Sequence, residues 1–213
     1  MLAKHRFIQF IQILCYVILY APFRIFLKLR LQQNSGSANV PLRRVIIANH
    51  QSKLDPFLIC SALPFKTFAK LTPIFFMTAH KYLDANWKRL LLYPLGCYPV
   101  YDSKKKNVAI LLHTIELIAQ GRTVFAFPEG KITDKKEKPK RGIAYLALRA
   151  DAAILPAHIN GATELTLAEA FLMKRNVRVS IGTFSTAQPN ATREQLANSL
   201  MEQVYELQFQ HGQ

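Results

Sequence analysis

The stretch Val45-Ile46-Ile47-Ala48-Asn49-His50-Gln51-Ser52-Lys53-Leu54-Asp55-Pro56 decides the fold prediction, because it joins an apolar run to a polar turn. Four consecutive apolar residues, 45–48, are typical of a strand in the interior of a sheet. His50 follows at the end of that strand, and Asp55 with Pro56 favours the start of a helix, with Asp55 at the cap. A tight turn between them would let Asp55 accept a hydrogen bond from one imidazole nitrogen and leave the other nitrogen as a proton acceptor. On this stretch alone there are two interpretations of His50 and Asp55: a catalytic pair, or two unrelated loop residues.

A second polar group follows another apolar strand. Residues 123–127 are apolar apart from Thr123, and Pro128-Glu129-Gly130 comes directly after them. In open α/β sheets, ligands collect at the carboxyl ends of the strands. Since Pro128 and Gly130 turn the chain sharply, backbone geometry would place the Glu129 carboxylate; an ordinary strand-to-loop turn is the alternative.

Strands and helices alternate along most of the chain, which predicts an α/β fold: a layered mixed sheet flanked by helices, with an N-terminal membrane-facing helical appendage. The predicted strands are residues 45–48, 74–77, 98–101, 123–127, 153–159 and 177–184, of which the last alternates as a half-exposed strand. The predicted helices are residues 56–63, 80–92, 104–120 (capped by Asp102 and Ser103) and 142–150, then a closing helix with a Thr192/Gln195 capping box and the apolar stripe Leu196, Leu200, Val204 and Leu207.

The N-terminal segment is apolar and flanked by basic residues. Residues 7–23 carry no charge, but Gln9, Gln12 and Pro22 interrupt the run, so a full membrane crossing is not secured. We interpret residues 4–31 as two helices, broken at Pro22, that lie in one leaflet. The alternative is a helical hairpin on the core of the domain itself. The predicted membrane-facing residues are Phe10, Ile13, Leu14, Val17 and Ile18.

The polar residues 32–39 are typical of a linker. We therefore divide the chain into membrane-associating helices with a linker, residues 1–39, and one catalytic domain, residues 40–213. A length of 213 residues suits one domain with a full core and does not suit two.

The charge predicts an anionic partner. Lysine and arginine number 28 against 13 acidic residues, and the formal net charge is +15. Phospholipid headgroups or an acidic carrier fit this charge. Nucleic acid is not expected as a partner, since no helix-turn-helix or RNA-recognition motif is found. Cys15, Cys60 and Cys97 are scattered, so neither a disulfide framework nor a metal site is predicted.

With these two motifs, the chain resembles the glycerolipid acyltransferase family, which comprises lysophospholipid and 1-acylglycerol-3-phosphate acyltransferases. The first family motif, Asn-His followed by four residues and Asp, is matched by Asn49, His50 and Asp55, and the third by Phe127, Pro128, Glu129 and Gly130. The second falls at residues 96–102 and the fourth at 154–156. Residues 127–133 and 159–165 are most similar to the acyltransferase half of bifunctional bacterial 2-acylglycerophosphoethanolamine acyltransferase/acyl-carrier-protein synthetases.

Two positions depart from the family pattern. Asp102 and Ile132 stand where the family has arginines associated with the acceptor phosphate. Lys131 and Lys104, Lys105 and Lys106 are close enough in sequence to supply replacement charge. The resemblance therefore leaves the acceptor headgroup open.

The resemblance implies a membrane-associated O-acyltransferase at the cytoplasmic face of the inner membrane. It would move an acyl group from acyl-CoA or acyl-carrier protein to the free hydroxyl of a lysophospholipid on an anionic membrane surface, without cofactor or metal. His50 would be the general base and Asp55 its orienting partner. Asn49, Phe127, Pro128, Glu129, Gly130 and Lys131 would bind substrate. A thioesterase or phospholipase, and a non-catalytic basic membrane-surface module, are the alternatives.

Overall fold

The computed structural model describes residues 2–34, 40–101, 104–172, 175–187 and 190–209. Its helices are α1 (Leu2–Phe26), α2 (Asp55–Ala62), α3 (Phe65–Leu71), α4 (Asn86–Leu92), α5 (Lys104–Ala119), α6 (Gly142–Arg149), α7 (Leu167–Leu172) and α8 (Arg193–Phe209), with a 3₁₀ turn at His80–Tyr82. Its strands are β1 (Arg30–Asn34), β2 (Arg44–Ala48), β3 (Ile74–Ala79), β4 (Cys97–Val100), β5 (Thr123–Ala126), β6 (Ala153–Asn160) and β7 (Arg178–Ile181).

The strands form one seven-stranded mixed sheet in the order β1-β7-β6-β2-β5-β3-β4. β2 to β6 run parallel to one another, β7 runs antiparallel to β6, and β1 pairs parallel with β7. Ile47 of β2 lies opposite Ala126 of β5, so these two strands end side by side. The predicted mixed α/β sheet is confirmed. Its topology brings both predicted motifs together at the carboxyl ends of β2 and β5.

Helices cover both faces of the sheet because successive strand residues point to opposite sides. Ile46 and Phe125 belong to a buried cluster with α1, α2, α3 and α7, whereas Val45 and Val124 belong to a second cluster with α5, α6 and α8. The central strands are therefore apolar on both faces. This explains why residues 45–48 and 123–127 are continuous apolar runs and do not alternate.

The N-terminal segment differs from the prediction. One helix, Leu2–Phe26, continues through Pro22 where two helices were expected. Pro22 lies inside α1, four residues before its end at Phe26, and removes one backbone N–H donor from the helix. The expected continuation to residue 31 is also wrong, since Arg30–Asn34 forms β1 at the edge of the sheet.

The predicted linker at residues 32–39 is wrong for residues 32–34, which belong to β1, and residues 35–39 lie outside the described residues. The division of the chain at residue 39 stays a prediction.

Several other elements differ in extent. The single helix expected at residues 80–92 is a 3₁₀ turn followed by α4. The last strand is buried from Val179 to Ile181, because it lies between β1 and β6 and packs beneath helices. The capping box is confirmed: the Thr192 N–H donates to Gln195 Oε1 at 3.0 Å, and the Gln195 N–H donates to Thr192 Oγ1 at 3.3 Å. The cap expected at Asp102 and Ser103 lies outside the described residues.

The two glutamines that interrupt the apolar N-terminal run attach α1 to the sheet domain. Gln12 Nε2 donates to the carbonyls of Ile74 at 2.6 Å and Leu95 at 2.9 Å, and Gln12 Oε1 accepts from the Ile74 N–H at 2.9 Å. Gln9 Nε2 donates to Thr72 Oγ1 at 3.1 Å. Gln12 thus satisfies both backbone groups at the start of β3.

The opposite face of α1 is exposed. Of the residues predicted to face a membrane, Phe10, Leu14, Val17 and Ile18 are exposed, whereas Ile13 is half-buried against the core. By length and composition, the segment Ala3–Phe26 is long and apolar enough to cross a membrane. α1 therefore has one face on the protein and one apolar face without a protein partner among the described residues.

We predict that Gln12→Ala destabilises the fold by about 1–3 kcal/mol, because it leaves the buried N–H and C=O of Ile74 without their side-chain partner. The control is Gln120→Ala, an exposed glutamine at the end of α5, which should change the free energy of unfolding by less than about 0.5 kcal/mol. Denaturant unfolding of the two variants measures the difference. Equal losses would contradict this docking role.

Candidate active site

The turn between β2 and α2 is built around the carboxylate of Asp55. Asp55 is fully buried. Its Oδ2 accepts from the N–H groups of Gln51 at 2.6 Å and Ser52 at 2.9 Å, and its Oδ1 accepts from Ser52 Oγ at 2.6 Å. The prediction that Asp55 caps α2 is wrong, because the carboxylate points back into the preceding turn and Leu54 occupies the cap position.

His50 is held by the same carboxylate. Its Nδ1 lies 2.9 Å from Asp55 Oδ2. An ionised carboxylate accepts hydrogen bonds and donates none, so a neutral imidazole in this contact would carry its proton on Nδ1 and keep the Nε2 lone pair. The imidazole stacks on the Phe127 ring with a centroid distance of 3.9 Å and an interplanar angle of 16°. The Asp55 contact and the Phe127 stacking therefore fix the plane of the ring.

The second motif joins the first through Glu129, which is buried. Glu129 Oε2 accepts from the His50 backbone N–H at 3.2 Å, and Oε1 accepts from the Tyr205 hydroxyl and from the Glu137 N–H at 3.4 Å. Burial raises the pKa of the Glu129 carboxyl, and these donors offset part of that rise. A carboxylate from the turn after β5 thus contacts the backbone at His50.

Gly130 has a structural reason to be glycine. Its φ is +70°, in the left-handed region, and a Cβ added there would overlap the Lys140 side chain. The Lys140 N–H donates to the Pro128 carbonyl at 2.8 Å, and Lys131 forms an ion pair with Glu137 at 3.0 Å. The charged loop after this motif, residues 134–141, therefore folds back over it.

Asn49 ties the turn to the neighbouring strand β6. Its side-chain amide donates to the Ile159 carbonyl at 2.9 Å and accepts from the Ile159 N–H at 2.8 Å. Gln51 Oε1 accepts from the Ala162 N–H at 3.0 Å. These bonds use backbone groups of β6, just beyond its parallel pairing with β2, and of the turn after it to anchor the turn that carries His50.

A cavity of about 1230 Å³ opens beside His50. Of the predicted site residues, His50, Phe127, Pro128, Gly130 and Lys131 line it, whereas Asn49, Asp55 and Glu129 lie behind its wall. Most of its lining is apolar and comes from several helices and β3, including Tyr16, Phe57, Phe68, Phe76, Leu91 and Leu111. A cavity of mainly apolar lining that also carries charged side chains suits a ligand with an apolar and a charged part.

Cationic side chains border the same cavity, and sequence reasoning identified only part of this set. Lys131 was predicted, but Lys53 and Lys140 also line the cavity. Lys53 lies within the first motif and Lys140 in the charged loop, so each is close in sequence to a motif that predicted site residues. Tyr205 had no such signal, because it lies on α8, 76 residues from the glutamate that it contacts. Ile132 lines the cavity, whereas Asp102 lies outside the described residues.

Two other side chains near His50 have different roles. Ser52 is buried and its hydroxyl donates to Asp55, which leaves it unsuited to act as a nucleophile. His158 is buried beneath α8, and burial lowers its pKa to about 4, so it stays neutral at physiological pH. Within the described residues, no group of three or more His, Cys, Asp and Glu side chains could hold a metal ion.

Comparison with known proteins finds a family match for this chain. The Acyltransferase family model matches residues 33–160, which is more than half of the chain and includes both motifs. Over 180 residues the chain is 28% identical to the chloroplastic 1-acyl-sn-glycerol-3-phosphate acyltransferase LPAT1 of Arabidopsis thaliana, covering 79% of this chain and 47% of that protein. The chain thus spans about half the length of this relative.

The fold is similar to that of a solved structure, the 1-acyl-sn-glycerophosphate (LPA) acyltransferase PlsC from Thermotoga maritima. The TM-score is 0.63 at 18% sequence identity, over 93% of this chain and 82% of that one. The matched α/β architecture agrees with the observed sheet and its N-terminal helix. On the extent of the family match and on the motifs it contains, the chain belongs to the Acyltransferase family.

Proposed function

We propose that this protein transfers a fatty acyl group from a thioester donor to the free hydroxyl of a lysophospholipid. One observation carries the proposal: His50 is bonded to Asp55 through Nδ1, and its ring lines an apolar cavity bordered by lysines. Such a cavity suits an acyl chain, and the lysines suit a phosphate. The two similar proteins, both acyltransferases of 1-acylglycerophosphate, support the same class.

In the proposed reaction, His50 Nε2 accepts the proton of the acceptor hydroxyl. The hydroxyl oxygen attacks the thioester carbonyl carbon, the C–S bond breaks, and an oxygen ester forms. The proton on His50 passes to the leaving thiolate, which departs as a thiol. Asp55 holds the neutral tautomer and stabilises the imidazolium that forms between these steps. No covalent acyl-protein intermediate is needed, in agreement with the buried position of Ser52.

The negative charge of the substrates supports specific roles for the lysines that line the cavity. We propose that Lys53, Lys131 and Lys140 attract the acceptor phosphate in place of the family arginines, with Ile132 as an apolar neighbour. Acyl-CoA and acyl-carrier protein are both anionic, and either suits this rim. Similarity to the acyltransferase half of the bifunctional enzymes favours an ethanolamine lysolipid as one acceptor. A panel of lysolipids with different headgroups, offered with each donor, separates these assignments.

We further propose that the exposed face of α1 lies in one leaflet at the cytoplasmic face of the inner membrane. Exposed Phe10, Val17 and Ile18 supply the apolar contact, and the net charge of +15 supplies attraction to anionic lipid. The acceptor, itself a membrane lipid, is then close to the cavity that α1 helps to line through Tyr16.

We predict that His50→Ala lowers the rate of acyl transfer to lysolipid by about 10²–10⁴-fold, the usual contribution of general-base catalysis. The control is His113→Ala on the exposed side of α5, which should keep the original rate. Product formation from labelled acyl-CoA is measured in detergent micelles.

Persistence of transfer near the original rate in His50→Ala would contradict this mechanism. Release of free fatty acid at a similar rate with and without lysolipid would instead identify a hydrolase. Indifference of every measured activity to both His50→Ala and Asp55→Ala would point to a non-catalytic module.

We also propose that Glu129 acts by positioning His50, because its carboxylate accepts the His50 N–H and does not line the cavity. Tyr205→Phe removes one donor to this buried carboxylate and should cost about 1–3 kcal/mol of stability. The Tyr205 bond lowers the pKa of Glu129 in the folded state, so its loss raises that pKa further above the unfolded value. Ionised Glu129 is then harder to bury, and the destabilisation should be larger at about pH 8 than at about pH 5.

Denaturant unfolding at the two pH values checks this prediction. The matched control is Tyr145→Phe, whose ring lies under Arg193 at 5.1 Å. A loss of stability in Tyr205→Phe that is independent of pH, or larger at acidic pH, would show that the tyrosine does not stabilise the ionised carboxylate.

A further inference from the structure

The short helix α4 and the residue after it expose almost all of their large apolar side chains. Trp87 is 64% exposed, Leu90 77%, Leu91 59% and Tyr93 43%, and no residue of α4 is buried. A helix of a globular domain normally turns its apolar stripe toward the core. Here the apolar side chains lie together at the surface, and a patch of this kind marks a site of interaction.

This patch adjoins the cavity beside His50. Trp87, Leu91 and Leu92 of α4 line that cavity, and so do Cys15 and Tyr16 of α1. The cavity therefore lies between two helices that each expose apolar side chains. The side of α1 that lines the cavity is opposite to its exposed apolar face.

The charges around α4 are mostly cationic and lie beside aromatic rings. Lys88 Nζ lies 5.6 Å from the Trp87 ring centroid, and the Nζ atoms of Lys81 and Lys53 lie 5.4 and 5.5 Å from that of Tyr82. The one carboxylate among these groups, Asp84, is paired with His80 at 2.8 Å. Tryptophan, tyrosine and lysine in this mixture are enriched where proteins meet the headgroup region of a membrane.

We propose that α4 is a second membrane-contact element, which inserts Trp87, Leu90 and Leu91 into the interface of an anionic bilayer. With α1 on the same bilayer, the cavity opens onto lipid between the two helices, and an acyl chain enters it from the membrane without crossing water. This proposal rests on the proposed function, since it gives the same cavity its route of entry.

An acidic carrier protein is the rival occupant of this surface, because it would also be attracted by Lys81 and Lys88. Lipid is favoured by the size of the apolar part. Three large side chains in a seven-residue helix are each more than half exposed, and charge pairing alone would leave them in water.

Trp87 makes the test direct, because it is the single tryptophan of the chain. Its fluorescence is recorded on the unmodified protein with vesicles of phosphatidylethanolamine and phosphatidylglycerol, and binding is followed in parallel by co-flotation. We expect the emission to shift to shorter wavelength, acrylamide quenching to fall, and lipids brominated on the acyl chain to quench the emission.

Co-flotation without a change in Trp87 emission or acrylamide access would overturn the proposal while leaving contact through α1 intact. A shift with acyl-carrier protein but not with vesicles would also overturn it. Neither result touches acyl transfer in micelles, so failure of this proposal is distinguishable from failure of the proposed function.

A pair of variants supplies the functional arm. Leu90 does not line the cavity, and Leu90→Gln should lower vesicle affinity, and activity on vesicle-embedded acceptor, by about tenfold. Its activity on a monomeric short-chain acceptor should be unchanged. The control is Leu42→Gln. Leu42 is 71% exposed and lies just before β2, at the opposite end of that strand from His50. Equal vesicle affinity of the two variants would overturn the proposal.

Discussion

The buried carboxylate of Asp55 is the constraint on which the site depends. A charged group without exposure to water is stable only when it is paired and hydrogen-bonded. Asp55 meets this requirement by collecting donors from three consecutive residues, His50, Gln51 and Ser52. The chain between β2 and α2 must therefore curl around one side chain. The same hydrogen bonds that stabilise the charge also set the tautomer of His50, so the fold of the turn and the chemistry of the imidazole have one cause.

The sheet supplies the frame for this turn. β2 lies between β5 and β6, and the turn that follows it is attached to both neighbours. Glu129, after β5, accepts the His50 N–H, and Asn49 bonds both backbone groups of Ile159 in β6. Asn49 and Glu129 belong to the motifs but do not line the cavity. Their side chains instead form hydrogen bonds with backbone groups. The apolar helices α1 and α4 then border the cavity from outside the sheet, which places a rigid polar centre beside surfaces suited to lipid.

Much of the fold followed from local pattern. The apolar runs at residues 45–48 and 123–127 predicted central strands, and the Thr192/Gln195 capping box predicted the start of α8, because each depends on near neighbours in sequence. β1 and the continuity of α1 through Pro22 were not predictable in the same way. The polar strand Arg30–Asn34 exists because β7 offers it a parallel edge, and α1 is held by Gln12 on the backbone of Ile74, 62 residues away. In the site, the His50 and Asp55 pair was predictable from spacing. The Tyr205 contact and the backbone role of Asn49 arise from tertiary contacts that no local pattern encodes.

We infer that Asp55 holds His50 with its proton on Nδ1, so that Nε2 is free to accept one. The most direct measurement is a long-range ¹H–¹⁵N correlation spectrum of protein labelled with ¹⁵N-histidine, recorded where His50 is neutral and assigned by comparison with His50→Gln. We expect His50 to show the Nδ1–H tautomer, with an unprotonated Nε2 shift. An Nε2–H tautomer, or a mixture of the two, would contradict it.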